Sequence, residues 1–116
     1  MSIQEQLYDL LSGHTDAGSR VFPQVAPEGT EKPYIVYQRV SSSSENTLDG
    51  RSGLVNTRMQ IDVFARTYAQ ALSVTSAIDG LMDAWEVQNI SILSADSFEP
   101  DTRLHRVTSD YSIWHG

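Results

Sequence analysis

The chain is 116 residues long and carries 15 acidic against 8 basic side chains, a net charge of −7. That is the length of one domain, enough to bury a core without staples, and its acidity opposes gripping nucleic-acid phosphates by charge neutralisation. No cysteine is present, which excludes disulfides and thiolate chemistry, and the longest apolar run, Tyr34-Ile35-Val36-Tyr37, falls far short of the ~20 residues that cross a bilayer.

From the first residue, Met1 to Gln6 show neither the basic patch nor the apolar run of a secretory signal, so folding in the cytosol and no membrane partner are expected. A helix follows. Ser2 is placed to cap it, Glu5 completes a capping box, and Gly13 closes it, with Ile3, Leu7, Leu10 and Leu11 on one face. Between His14 and Lys32 the pattern weakens to loop, punctuated by Pro23, Pro27 and Gly29. Arg20-Val21-Phe22 stands there as a possible short edge strand ended by Pro23.

Residues 34–42 read as a strand rich in tyrosine and β-branched side chains. A polar stretch with several turn formers then runs to Gly53, and residues 43–53 are expected to form a flexible loop, functional or mobile. Strand 54–66 alternates most cleanly. Val55, Thr57, Met59, Ile61, Val63 and Ala65 take one face; Asn56, Arg58, Gln60, Asp62 and Arg66 take the other, with Phe64 the large apolar exception.

Thr67 and Gln70 signal a second capping box opening a helix to about Trp85. Its apolar stripe is read as Tyr68, Leu72, Thr75, Ile78, Met82 and Trp85, and its reverse as a ridge of small residues, Ala69, Ser73, Ala77, Gly80 and Ala84. Strands over 89–97 and 103–115 follow, turning at Glu99-Pro100-Asp101. The order helix, hairpin, helix, hairpin predicts an α+β single domain over residues 1–116. Its architecture is a four-stranded, mostly antiparallel sheet with both helices on one face and the strands 54–66 and 103–115 at the centre.

No catalytic constellation emerges from this order. His14, His105 and His115 share no short motif of the kind that holds a metal, no Gly-x-Ser-x-Gly elbow is present, and Gly50 and Gly53 lack the lysine of a phosphate loop. Asp79 and Asp83 lie one helical turn apart on what reads as a solubilising flank. Neither enzyme activity, cofactor nor metal is expected.

Two features point instead to assembly. Arg58-x-Gln60-x-Asp62 recurs as Arg106-x-Thr108-x-Asp110, the same spacing on the same face of two long strands. If the strands are neighbours these residues form cross-strand ion pairs; alternatively Arg58, Asp62, Arg106 and Asp110 set the register of a subunit interface. The ridge at Ala77, Gly80 and Ala84 is the second candidate, packed either by the first helix or by a neighbouring subunit, because glycine in a helix interior costs ~1 kcal/mol relative to alanine. Ser44, Glu45, Asn46, Asp49 and Arg51 are candidate partner-binding residues of the loop.

Several short segments in order resemble the phage tail-completion proteins. They are Arg20-Val21-Phe22-Pro23, Ala26-Pro27, Pro33 to Gln38, Thr47-Leu48-Asp49-Gly50, Gln60 to Ala65, and the closing Asp110-Tyr111-Ser112-Ile113-Trp114. Phe64 stands where relatives commonly have tryptophan. The resemblance implies a virion structural protein of a tailed phage or prophage, similar in fold to tail terminators. Such subunits form a ring, usually of six, that ends the tail tube and joins it to the head–tail connector. The implied partners are further copies of the chain, the tail-tube protein and the connector protein, with DNA passing nearby without specific binding. The implied location is the host cytoplasm during assembly and then the virion tail. A small host-type protein-binding module has the same composition, and a hydrolase would require His105 to converge with Asp96 or Glu99 in a deep pocket.

Overall fold

A computed structural model describes residues 1–47 and 50–116. The elements are α1 (Ile3–Leu11), β1 (Val21–Pro23), β2 (Tyr34–Thr47), β3 (Gly50–Ala65), α2 (Tyr68–Ala84), β4 (Asn89–Glu99) and β5 (Leu104–His115). They build one sheet in the order β1-β2-β3-β5-β4. It has five strands where the sequence pattern implied four, because the short Val21–Pro23 segment pairs in parallel with Ile35–Tyr37. All other neighbours are antiparallel. As expected, the long strands β3 and β5 lie side by side inside the sheet.

Local chemistry accounts for the helix boundaries. Ser2 accepts the Glu5 N–H while the Glu5 carboxylate takes the Ser2 N–H, which satisfies two orphan donors at the start of α1. These bonds hold the exposed Glu5 carboxyl below its ordinary range. Gly13, at φ +80°, turns the chain away after Leu11. Thr67 caps α2 by accepting the Gln70 N–H.

The core lies between the helices and one face of β2, β3 and β5. Met59, Ile61, Val63 and Ala65 of β3 point into it, with Val107, Tyr111 and Ile113 of β5 and Ile3, Leu7 and Leu11 of α1. The alternation along β3 therefore placed its apolar face correctly. The register of α2 was misread at its start. Thr75, Ile78 and Met82 are buried as expected, but Ala71 and Val74 face the sheet while Tyr68 and Leu72 are exposed. Small side chains let the helix sit close on β3 and β5, so the larger Tyr68 and Leu72 are left on the flank.

Of residues 43–53, expected as a loop, 43–47 and 50–53 are strand, while 48 and 49 lie outside the described residues. Ser41 to Thr47 pair with Arg58 back to Gly50, with register shifts after Arg39 and after Glu45. Ladder hydrogen bonds come from the backbone, so a serine run pairs even though its side chains favour turns. Because β5 accompanies β3 only over Val55 to Ala65, the distal part of β2–β3 is a two-stranded arm. A 16-residue strand at ~3.3 Å per residue accounts by itself for the long dimension of the molecule, 52 Å against 25 and 24 Å.

Candidate assembly surfaces

The face of the sheet away from the helices carries the repeated Arg-x-x-x-Asp spacing. The register sets Arg58 opposite Ser112, Gln60 opposite Asp110, Asp62 opposite Thr108 and Phe64 opposite Arg106, so each arginine lies diagonally from the other strand's aspartate. Both cross-strand pairs form within one subunit: Arg58 Nη2 to Asp110 Oδ2 at 2.6 Å and Arg106 Nη2 to Asp62 Oδ2 at 3.1 Å. Asp62 also accepts from Thr108 Oγ1 at 2.5 Å and from Gln60 Nε2 at 3.0 Å. Asp62 and Asp110 are thereby almost wholly covered, their side chains 6 % and 10 % exposed, beneath arginines that are 32 % and 41 % exposed. What this face offers a partner is therefore guanidinium and aromatic surface, with the carboxylates engaged beneath it.

Phe64, the apolar exception in the alternation, has its place here. Its ring stacks on Tyr34 at 4.9 Å, and the Arg106 guanidinium lies over it at 5.3 Å from the centroid. Burial pushes the Tyr34 phenol above its ordinary range; Glu99 adds to the rise and Arg106 opposes it.

The small-residue ridge of α2 is not covered by α1. Ala77 is half-buried, Gly80 and Ala84 are exposed, and a Cβ added at Gly80 would meet no atom within 4 Å. The proposed packing against the first helix is thus overturned: α1 lies elsewhere on the core, and the ridge faces outward. Of the partner-binding candidates, Ser44 is exposed on β2 and Glu45, Asn46 and Arg51 lie along the arm strands, while Asp49 is outside the described residues.

Groups considered for chemistry stand apart. His14 contacts the Leu10 carbonyl, His115 shares a hydrogen bond with Thr57, and the His105 ring packs against Tyr68 and Phe98. Asp96 is bound by the Tyr68 hydroxyl, and neither it nor His105 lines a deep pocket among the described residues. Those residues also hold no cluster of three or more histidines and acids placed for a metal ion. A cleft of ≈ 430 Å³ opens between the end of α2 and the start of β4, bounded by Asp79, Asp83, Trp85, Ile90 and Tyr111. Asp79 has a structural partner there, since the buried Tyr111 hydroxyl donates to it and ties the sheet to α2. Burial first, and this bond second, drive the Tyr111 phenol far above its ordinary range.

One surface escaped the sequence reading. β4 is an edge strand exposed over nearly its whole length, and Ile90, Ile92, Leu93 and Phe98 are 44 to 58 % exposed. The available signal was that Ile92 and Leu93, being adjacent, put apolar side chains on both faces. A register shift between Ser91 and Leu93 marks the bulge that accommodates Ile92.

No curated protein sequence matches the chain. Among solved structures it is similar to a chain of the "Virion of native gene transfer agent (GTA) particle". The TM-score is 0.74 at 14 % identity, with 97 % of this chain and 93 % of that chain covered, a likeness of fold. The family model described as "Tail completion protein gp17" matches residues 5–116. With that match running from within α1 through every strand and α2, the chain belongs to the tail completion protein gp17 family and is a structural component of the phage tail.

Proposed function

We propose that the protein forms a closed ring, of six copies, at the end of the tail tube, where it terminates the tail and joins it to the head–tail connector. It assembles in the host cytoplasm, acts without catalysis, and lets DNA pass without specific contact. The observation that carries this reading is the family match across residues 5–116. It is supported by a fold shared with a chain of an assembled virion particle. Unlike surfaces on one subunit suit head-to-tail contacts, which close into rings when the rotation permits. This subunit has an outward ridge at Ala77, Gly80 and Ala84, an arginine-topped sheet face at Arg58 and Arg106, and a projecting arm. Ser44, Glu45, Asn46 and Arg51 on the arm, together with Asp49, which lies outside the described residues, are the residues that would contact the tube or connector protein.

Analytical ultracentrifugation across protein concentration, with and without the tail-tube protein, tests the reading. A ring-sized species that electron microscopy shows as closed and on the tube end is the expected result. A strict monomer under every condition, including with the tube present, overturns the ring and favours a small binding module.

A further inference from the structure

The sheet ends in two edges that are built differently. On the β1 side the edge strand is three residues long and ends at Pro23, the usual means of blunting an edge against further pairing. Beyond Tyr37, however, β1 no longer covers β2, and among the described residues no strand pairs with the outer side of Gln38–Thr47. On the other side β4 presents 11 residues, Asn89–Glu99, whose outer backbone groups are likewise unpaired by any described strand. β4 contains neither lysine nor proline and exposes Ile90, Ile92, Leu93 and Phe98. Its bulge at Ile92 and the acids Asp96 and Glu99 guard it only in part, and an exposed, largely apolar edge of this length is a template for strand addition.

We infer that the outer edge of β4 in one subunit pairs with the outer edge of β2, along Gln38–Thr47, in the next copy, so that the sheet continues from subunit to subunit. The inference rests on the ring reading above and specifies the contact that builds it. Charge distribution selects a second copy as the occupant. Residues 67–102 hold six acids, Asp79, Asp83, Glu86, Asp96, Glu99 and Asp101, and no lysine or arginine. All six lie on α2, on β4 or in the connections bounding β4. The strands β2 and β3 hold three arginines, Arg39, Arg51 and Arg58, against Glu45 and Asp62. Arg39 is exposed on β2 and pairs with no carboxylate among the described residues. The acidic flank of one copy thus meets the arginine-bearing flank of another, and complementary charge fixes which edges meet. β4 against β4 would instead oppose acid to acid. The two free edges are also of similar length. Because they are different surfaces of one subunit, their pairing is head-to-tail and has the symmetry a ring needs.

The absence of cysteine gives a direct test. Single variants Ser41→Cys and Ser43→Cys on β2, and Ser91→Cys and Ser97→Cys on β4, alter exposed serines and should fold as the parent does. After mild oxidation, a mixture of one β2 and one β4 variant should give a disulfide-linked dimer containing one of each, while either variant alone stays uncrosslinked. Ile92→Lys, at an exposed position, should keep the parent's melting temperature and lose both the crosslink and the ring. Crosslinks confined to copies of the same variant, or rings that persist in Ile92→Lys without any β2–β4 crosslink, overturn the edge pairing and leave the ring reading standing. A ring retained in Ile92→Lys that no longer docks on the tail tube assigns the β4 edge to the tube protein and overturns it too. A parent protein that never associates overturns both.

Discussion

β3 is one strand in two environments. Over Met59 to Ala65 it lies between β2 and β5 with α2 packed against it, and its inward residues are fully buried. Over Gly50 to Leu54 the strand that pairs with it among the described residues is β2. The same backbone ladder is thus backed by a core at one end and paired with a single described strand at the other. Two-stranded ribbons without a packed face are marginal in water. If the arm serves assembly, as proposed above, stability and assembly fall to different ends of one element, and substitutions should separate them.

Ile61→Ala, in the buried stretch, should cost about 2–5 kcal/mol, a large part of a small domain's stability. Ser43→Ala, exposed on the arm, should shift chemical denaturation by no more than about 0.5 kcal/mol. Equal effects at the two sites would mean that the arm is packed in the free subunit. Trp85→Ala should fall below the ~3–5 kcal/mol of a fully enclosed tryptophan, because Trp85 packs against the core but is only partly buried.

The polar sheet face allows a finer comparison. Asp62→Ala removes an acceptor shared by Arg106, Thr108 and Gln60, and should cost about 1–3 kcal/mol. Asp110→Ala should cost less, since its partner Arg58 is 41 % exposed and screened by water. Urea denaturation of the two variants gives the order directly; the reverse order would show that the network is centred on Asp110.

At high pH the core tyrosine becomes the weak point. Tyr111 has its folded pKa raised above that of the unfolded chain by burial and by Asp79, so the unfolded state releases the proton first. Its stabilising contribution is therefore complete below about pH 10 and is lost as pH rises beyond that towards the folded value. The Tyr34 and Tyr37 phenols are raised in the same direction, chiefly by burial. Melting temperatures measured from pH 8 to 11 should fall at the alkaline end, and Tyr111→Phe should fall less steeply.

Much of this arrangement is legible in the chain. The Ser2–Glu5 box, the alternation of β3 and the Arg-x-x-x-Asp spacing are local patterns whose physics needs no distant partner, and the structure realises each of them. What was misread depends on neighbours far away in sequence. The start of α2 was assigned by side-chain size, yet Ala71 and Val74 face the sheet because close approach favours small groups there. The serine run was assigned by side-chain preference, whereas its partner across the ladder decided the outcome. The bareness of β4 follows from α2 lying over β3 and β5, which no window of the sequence displays.

Gly80 should give the smallest change in stability and the most information per methyl group. It lies inside α2, exposed, with a backbone conformation that suits any L-residue, and an added Cβ meets nothing within 4 Å. Gly80→Ala should therefore stabilise the subunit by about 0.4–1 kcal/mol by restricting the unfolded chain. A thermal melt of the monomer reads this gain; a loss would mean that the helix needs glycine for its own packing. Assembly is a separate readout. If a neighbouring subunit packs against the Ala77-Gly80-Ala84 ridge, the extra methyl intrudes at that contact and ring formation weakens while the subunit melts higher. Unchanged sedimentation at raised stability would instead remove the ridge from the interface and leave the strand edges to carry the contact.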